Sequence, residues 1–254
     1  MLTRNEIKRL ATLKNARTIR QEQQFIAAGA KLIATLTDAG MQPLYLLTDT
    51  PDAISPTPRY PVHAIAPTTL QRIVALDSPT HVAALFALPN KEPLPLENHK
   101  TIILEQIQDP GNLGTIIRSA DWFGFDQVIC SPDSAFLYAP KALQATMGAA
   151  ASVHVAYTPL LPLLDSAPSD LPLIATTLDG TPAHALTFPH HFALLIGNEG
   201  HGLDPQTLEH CTLRISIPKH GHPASESLNA AQAATILCYL SSTQNSTPQT
   251  ATQK

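Results

Sequence analysis

Asp109-Pro-Gly-Asn-Leu-Gly-Thr-Ile-Ile-Arg-Ser-Ala-Asp-Trp-Phe-Gly124 is followed along the chain by Ile196-Gly-Asn-Glu-Gly-His-Gly-Leu203, then by Ile217-Pro218 and Ser227-Leu-Asn229. In the first segment Gly111 and Gly114 permit close backbone approaches, and Asn112 is placed to cap a helix over 113–123. The free amides of such a helix start attract anions, and Arg118, one turn after Gly114, can lie beside them and hold a phosphate. An ordinary glycine-turned helix start with Arg118 on the surface fits the segment equally. Ser119, Ala120, Trp122 and Phe123 read as packing residues, with the single tryptophan in the core.

In the second segment an apolar run over 192–196 stops at Gly197-Asn-Glu-Gly-His-Gly202. Three glycines expose backbone groups at the end of a parallel strand, where open α/β sheets bind small ligands. Glu199 can accept hydrogen bonds from a ligand or hold the loop through its own amides, and the sequence leaves both open. The third segment is a strand over 213–217 that ends in Pro218, after which Ser225-Glu-Ser-Leu-Asn229 starts the last helix with capping chemistry. His220 and His222 flank Gly221, but no third and fourth ligands stand at useful spacing, so no metal site is expected.

Outward from these segments, apolar runs over 101–105, 127–130, 153–157 and 173–177 alternate with helical stretches over 113–123 and 140–147, and a helix without glycine or proline runs over 228–240. Alternation implies a parallel sheet. Upstream, apolar runs over 25–28, 44–48, 62–65 and 82–86 alternate with helices over 30–39 and 68–76, giving a smaller α/β domain. Three prolines without periodicity mark 88–100 as a linker. The expected organisation is therefore residues 1–87, a linker over 88–100, a larger domain over 101–240, and a polar tail over 241–254 that cannot repay the entropy of ordering.

Composition bounds the rest. Of 254 residues 44% are hydrophobic and 14% charged, which suits globular domains. No apolar run reaches the roughly 18 residues of a membrane span, and charges at the start oppose a secretory signal, so a soluble cytoplasmic protein without membrane attachment is expected. Cys130, Cys211 and Cys238 are odd in number and set among apolar neighbours, as reduced core thiols would be. The net charge of −4 conceals a local excess of five positive charges among the first 31 residues. There Arg4, Lys8, Arg9, Lys14, Arg17, Arg20 and Lys31 face only Glu6 and Glu22, and the apolar spacing predicts an amphipathic helix over 5–24 that carries most of them. Such a stripe is either a solvated face or a nucleic-acid-binding one.

Asn112-Leu-Gly-Thr-Ile-Ile-Arg118, Gly197-Asn-Glu-Gly-His-Gly-Leu203 and Ser227-Leu-Asn229 together resemble the SpoU-type, TrmH-like RNA ribose 2′-O-methyltransferases of the SPOUT superfamily. The likeness covers most of 101–240, and the basic start followed by Phe25-Ile-Ala-Ala-Gly29 is similar to the family's small ribosomal-protein-like RNA-binding domain. The resemblance implies an α/β fold whose carboxyl-terminal parallel-sheet domain carries a trefoil knot. It also implies S-adenosyl-L-methionine as cofactor, held at Gly197, Ile217 and Leu228, and a homodimer paired through the knotted domains. Arg118 would then work beside the partner's cofactor, with Asn112, Glu199, Ser227 and Asn229 shaping the shared site and Arg4, Lys8, Arg9, Lys14, Arg17 and Arg20 contacting RNA. The substrate implied is ribosomal RNA in preference to transfer RNA. A non-catalytic RNA-binding assembly factor on the same fold is the alternative. The family often casts its arginine as base, but a guanidinium with a pKa above about 12 hardly deprotonates, which favours a phosphate clamp. Two departures stand out. Ala28 replaces the family's glutamate, and Lys219 opens a loop over 219–226 that is longer than usual where a methionine is frequent.

Overall fold

A computed structural model of the chain describes residues 2–53, 59–76, 78–221 and 224–243. It divides into two compact units, Met1–Asn90 with Ala135–Ser152, and Lys91–Ser134 with Val153–Lys254. Residues 135–152, which chain order alone assigned to the larger domain, cluster with the first unit. Much of the expected linker belongs to the second: Leu96 is buried, and the Leu94 backbone exchanges two hydrogen bonds with the Gln127 carboxamide.

The first unit starts with α1 (Arg4–Leu10) and α2 (Ala16–Glu22), where the spacing predicts one helix over 5–24. Thr3 and Glu6 close a capping box that sets the start of α1. The break follows from Thr12, whose hydroxyl bonds the Arg9 carbonyl at 2.6 Å, and from Asn15, whose backbone is extended. Either geometry interrupts the helical ladder, yet Leu10, Leu13 and Ile19 still face inward. Then come β1 (Gln24–Ala28), α3 (Ala30–Asp38), β2 (Pro43–Thr48), β3 (Val62–Ala64), α4 (Pro67–Val74) and β4 (Val82–Ala87). The sheet order is β1-β4-β2-β3, antiparallel except for the β2–β3 pair. Phe25 and Phe86 sit opposite each other on β1 and β4 and stack with ring centroids 5.4 Å apart. Burying a side chain of this kind stabilises by about 1.5–3 kcal/mol, so the pair is a principal anchor of the sheet.

In chain order the rest is β5 (Lys100–Leu104), α5 (Pro110–Trp122), β6 (Gln127–Cys130), α6 (Pro140–Ala145), β7 (His154–Tyr157), α7 (Leu160–Asp165), β8 (Leu173–Pro182), β9 (Phe192–Ile196), α8 (Pro205–His210), β10 (Leu213–Ser216) and α9 (Ala230–Thr243). Of these α6 packs on β1 in the first unit. The second unit's strands form one parallel sheet ordered β10-β8-β9-β5-β6-β7. Ile102 to Leu104, Val128 to Cys130 and Leu194 to Ile196 are buried on both faces, which is why they read as unbroken apolar runs. From β5 the chain winds outward through β6 and β7, and later strands return on the other side. The strand order thus reverses between β5 and β9, where open α/β sheets hold ligands beyond the strands' carboxyl ends. Both glycine-bearing segments leave the sheet at that point.

Several expectations need correction. Trp122 is 81% exposed, because Leu113, Ile116, Ile117 and Ala120 form the inward face of α5 and its last residue points away. Strand β8 runs to Pro182, past the expected 177, since it re-pairs with β10 after a register shift between Arg214 and Ile215. Helices α7 and α8 went unread, although Asp204-Pro205 is a cap followed by proline at the first helical position. Helix α9 starts at Ala230 and reaches Thr243, three residues into the expected tail; 244–254, like His222 and Pro223, lie outside the described residues. Cys130 and Cys238 are buried and Cys211 partly so, with burial pushing their thiols up to about 12, 12 and 11. No helix among the described residues is long and apolar enough to cross a membrane.

Candidate active site

The chain leaves β5 through Gln106, held in the left-handed region at φ 54°. Its N–H donates to Ser131 Oγ at 2.8 Å, and its carbonyl accepts from Asn198 Nδ2 at 2.8 Å. This bent residue therefore ties the exit of β5 to the glycine loop after β9. Helix α5 is capped by Asp109, whose carboxylate accepts the Asn112 N–H at 2.9 Å, and not by Asn112 as its sequence position suggests. Pro110 then occupies the first helical position, where a missing N–H costs nothing. With Asp109 as the cap, the Asn112 side chain is available for other partners.

Gly197 leaves β9 beneath its own loop. A Cβ there would lie 2.2 Å from Gly202 C and 2.3 Å from Leu203 N, so only glycine fits the crossing. Asn198 and Gly202 exchange two backbone hydrogen bonds of 3.0 Å, and Asn198 Oδ1 accepts the Gly200 N–H at 2.8 Å. The loop is thus closed on itself by Asn198 while Glu199 projects from its tip.

Glu199 joins the three segments. Asn229 caps α9, its Oδ1 accepting the Ala231 N–H at 2.9 Å and the Gln232 N–H at 3.3 Å. Main-chain amides only donate, so this fixes which way the Asn229 carboxamide faces. Its Nδ2 donates to Asn112 Oδ1 at 2.9 Å, and Asn112 Nδ2 in turn donates to Glu199 Oε1 at 2.9 Å. The polarity set at a helix cap passes through two amides and ends on a carboxylate acceptor. Glu199 Oε2 also receives the Gln108 N–H at 3.5 Å. Within the segment Ser225–Asn229, which the sequence marked as a helix start, capping thus falls to Asn229.

Beside this chain of bonds lies a cleft of about 780 Å³, lined among others by Gly197, Glu199, Ile217, Ser227 and Leu228. Asn112, Arg118 and Asn229 are not part of its wall. Arg118 is exposed on α5 and, among the described residues, makes no hydrogen bond or ion pair. Ser227 is exposed in the segment before α9. Lys219 and His220 also line the cleft. Among the described residues no group of three or more His, Cys, Asp or Glu side chains is arranged to hold a metal ion.

The basic residues of the first unit divide in two. Arg9 is engaged internally, donating to Glu22 Oε2 at 3.0 Å and Gln24 Oε1 at 2.8 Å, and Arg20 lies over the Phe136 ring at 4.4 Å. Arg4, Lys8, Lys14 and Arg17 are exposed. Sequence reasoning overlooked Gln106, Asp109 and Asn198. For Asp109 the signal was present, since Asp-Pro before an apolar run is a helix start.

The family model that matches the chain is described as the SpoU rRNA Methylase family and spans residues 99–239. The 23S rRNA (guanosine(2553)-2′-O)-methyltransferase RlmP of Bacillus subtilis is 32% identical over 169 residues, 66% of this chain and 66% of that protein. The 23S rRNA (uridine(2479)-2′-O)-methyltransferase of Streptomyces viridochromogenes is 28% identical over 94% of this chain and 88% of its own. With three of the curated relatives the match spans only 66%, 26% and 51% of their lengths. The crystal structure of the SpoU methyltransferase AviRb from Streptomyces viridochromogenes, in complex with the cofactor AdoMet, superposes with a TM-score of 0.85 at 26% identity, covering 95% of this chain and 98% of that one.

Proposed function

The chain belongs to the SpoU rRNA Methylase family, and from that membership we propose that it transfers a methyl group from S-adenosyl-L-methionine to a ribose 2′-hydroxyl of structured RNA, ribosomal RNA in preference to transfer RNA. The observation that carries the proposal is the bonded chain Asn229–Asn112–Glu199 at the edge of a cleft lined by Gly197, Ile217 and Leu228. The cleft suits the cofactor: its volume lies in the range of about 300–1,000 Å³ that holds compact ligands, and any side chain at Gly197 would push the loop backbone at Gly202 and Leu203 out of the place it takes in the cleft wall. Relatives support both halves of the reading. RlmP and the Streptomyces enzyme bear names that specify 2′-O transfer to 23S rRNA, and AviRb is crystallised with AdoMet.

Gly197, Ile217 and Leu228 would hold the cofactor, which when bound supplies an electrophilic methyl on a sulfonium. Transfer requires the ribose hydroxyl in line with that methyl, and positioning of this kind can supply much of the rate. Arg118 has the character needed to position it: a guanidinium without an internal partner can clamp the neighbouring RNA phosphate with two donors. Asn112 and Asn229 are already committed to each other and to Glu199, so their part is to hold the carboxylate still. Ser227, exposed beside the cleft, completes the hydrogen bonding around the hydroxyl.

The finer features of this reading are a trefoil knot in the second unit, a ribosomal-protein-like RNA-binding role for the first unit through Arg4, Lys8, Lys14 and Arg17, with Arg9 and Arg20 shaping that surface, and action in the cytoplasm. It also includes a homodimer formed through the outer faces of α5 and α9. On those helices Trp122, Tyr239 and Ile236 are 81%, 54% and 37% exposed, and Phe123 contacts Tyr239 edge to face. Apolar groups of that size on one surface favour burial against a partner. A second chain there would supply its Arg118 to a cleft whose own wall lacks it. Tritiated methyl transfer to bacterial ribosomal RNA, followed by nucleoside analysis, tests the function: a 2′-O-methylated nucleoside supports it, whereas RNA binding without transfer supports a non-catalytic assembly factor.

A further inference from the structure

We propose that Glu105 is a positioning residue for the cofactor loop, a role that rests on the cleft being the cofactor site. Glu105 follows the last residue of β5 and is 8% exposed. Its backbone N–H donates to the Ile196 carbonyl at 2.9 Å, extending the β5–β9 ladder to the residue just before Gly197. Its side chain reaches the other end of the same loop. Oε2 accepts the Asp204 N–H at 2.8 Å, and Oε1 accepts the Thr207 hydroxyl at 2.6 Å. Asp204 is the residue after Leu203 and the cap of α8, so one residue grips both the entrance and the exit of the segment 197–203.

The grip explains how a loop with three glycines keeps one shape. Glycine loses more conformational freedom on ordering than other residues, and the internal Asn198–Gly202 bonds fix only the loop's middle. Fixing the entrance through the Glu105 main-chain N–H and the exit through its buried carboxylate limits the loop's freedom before a ligand arrives, and preorganisation of this sort appears as affinity. Glu105 does not line the cleft. Its influence passes through Leu203 and Asp204 to the backbone of Gly197 and Gly202. The acceptor pair is also specific: an apolar replacement leaves the Thr207 hydroxyl and the Asp204 amide without their bonds, while glutamine still offers one oxygen for the amide and a donor that the Thr207 oxygen can accept.

The experiment is calorimetric titration of S-adenosylhomocysteine into wild type, Glu105→Ala, Glu105→Gln and Thr207→Val, with RNA binding and thermal unfolding measured on each. Wild-type binding of the thioether tests the cofactor reading itself; the variants test Glu105. The expected result is a weakening of about tenfold or more for Glu105→Ala, a smaller loss for Thr207→Val, and recovery to within about threefold of wild type for Glu105→Gln. RNA affinity stays unchanged throughout. A folded Glu105→Ala protein that binds within twofold of wild type overturns the proposal. So does a Glu105→Gln protein as weak as the alanine variant, since that would mean the two hydrogen bonds are not what matters. If Glu105→Ala fails to fold, Thr207→Val and Glu105→Gln decide by the same comparison.

Discussion

Replacing Gly197 with alanine puts a methyl group 2.2 Å from Gly202 C, 2.3 Å from Leu203 N and 2.4 Å from Gly202 O, where ordinary contact begins near 3.4 Å. All three obstacles are backbone, so no side chain can swing aside, and the loop must lift from the strand end. Lifting breaks the two 3.0 Å bonds between Asn198 and Gly202. At about 0.5–1.5 kcal/mol net for each, the cost is roughly 1–3 kcal/mol. If the variant carries that cost in every folded molecule, its Tm falls by about 2–12 °C at the 2–4 °C per kcal/mol typical of this size. If the loop instead rests open and closes only around a ligand, the same energy appears as an affinity about 5- to 150-fold weaker for S-adenosylhomocysteine. Scanning calorimetry and titration calorimetry on the same preparation divide the cost between the two. A variant with Tm within 1 °C and Kd within twofold of wild type would refute the reasoning, because the crossing would then carry no load.

Arg118→Ala lowers kcat for methyl transfer by roughly 100-fold while leaving cofactor affinity within twofold, and Arg118→Lys restores little because an ammonium cannot clamp a phosphate with two donors; single-turnover kinetics with tritiated cofactor measure both. Asn229→Asp keeps the α9 cap, so Tm holds, but it has no donor for Asn112 Oδ1 and transfer falls as far as in Asn229→Ala, which also loses about 1 kcal/mol of capping. Gln106→Gly removes the cost of a left-handed residue with a side chain, outweighing glycine's greater entropy when unfolded, and raises Tm by about 1–4 °C. Trp122→Glu leaves the fold intact and shifts sedimentation toward the monomer; a variant that stays dimeric would show that the exposed face of α5 is not the contact.

The alternation of apolar runs made the parallel sheet legible, since strands buried on both faces admit little besides Val, Ile and Leu. Bends were harder. The interruption between α1 and α2 depends on one threonine hydroxyl and one extended asparagine, neither of which disturbs the hydrophobic spacing that suggested a single helix. Trp122 was misread because residue type predicts burial only on average, while the actual exposure depends on where the helix ends relative to its inward face. At the site, the glycine-marked segments named their own members, yet the division of labour between Asp109 and Asn112, and between Ser225 and Asn229, was not visible. Either of two residues a turn apart can cap a helix, and which one does so depends on what else the other side chain can reach across the fold. Here Asn112 reaches Glu199, 87 positions away, a partnership that spacing cannot disclose.

Titration of the purified protein with S-adenosylhomocysteine bears most directly on the central claim that the segments around Gly197, Ile217 and Leu228 form one ligand site. Saturable binding at one site per chain is predicted, with a Kd on the order of micromolar, retained in Arg118→Ala and weakened in Gly197→Ala. A folded protein that gives no heat with either the thioether or S-adenosyl-L-methionine, or one that binds equally well after Gly197→Ala, would contradict it.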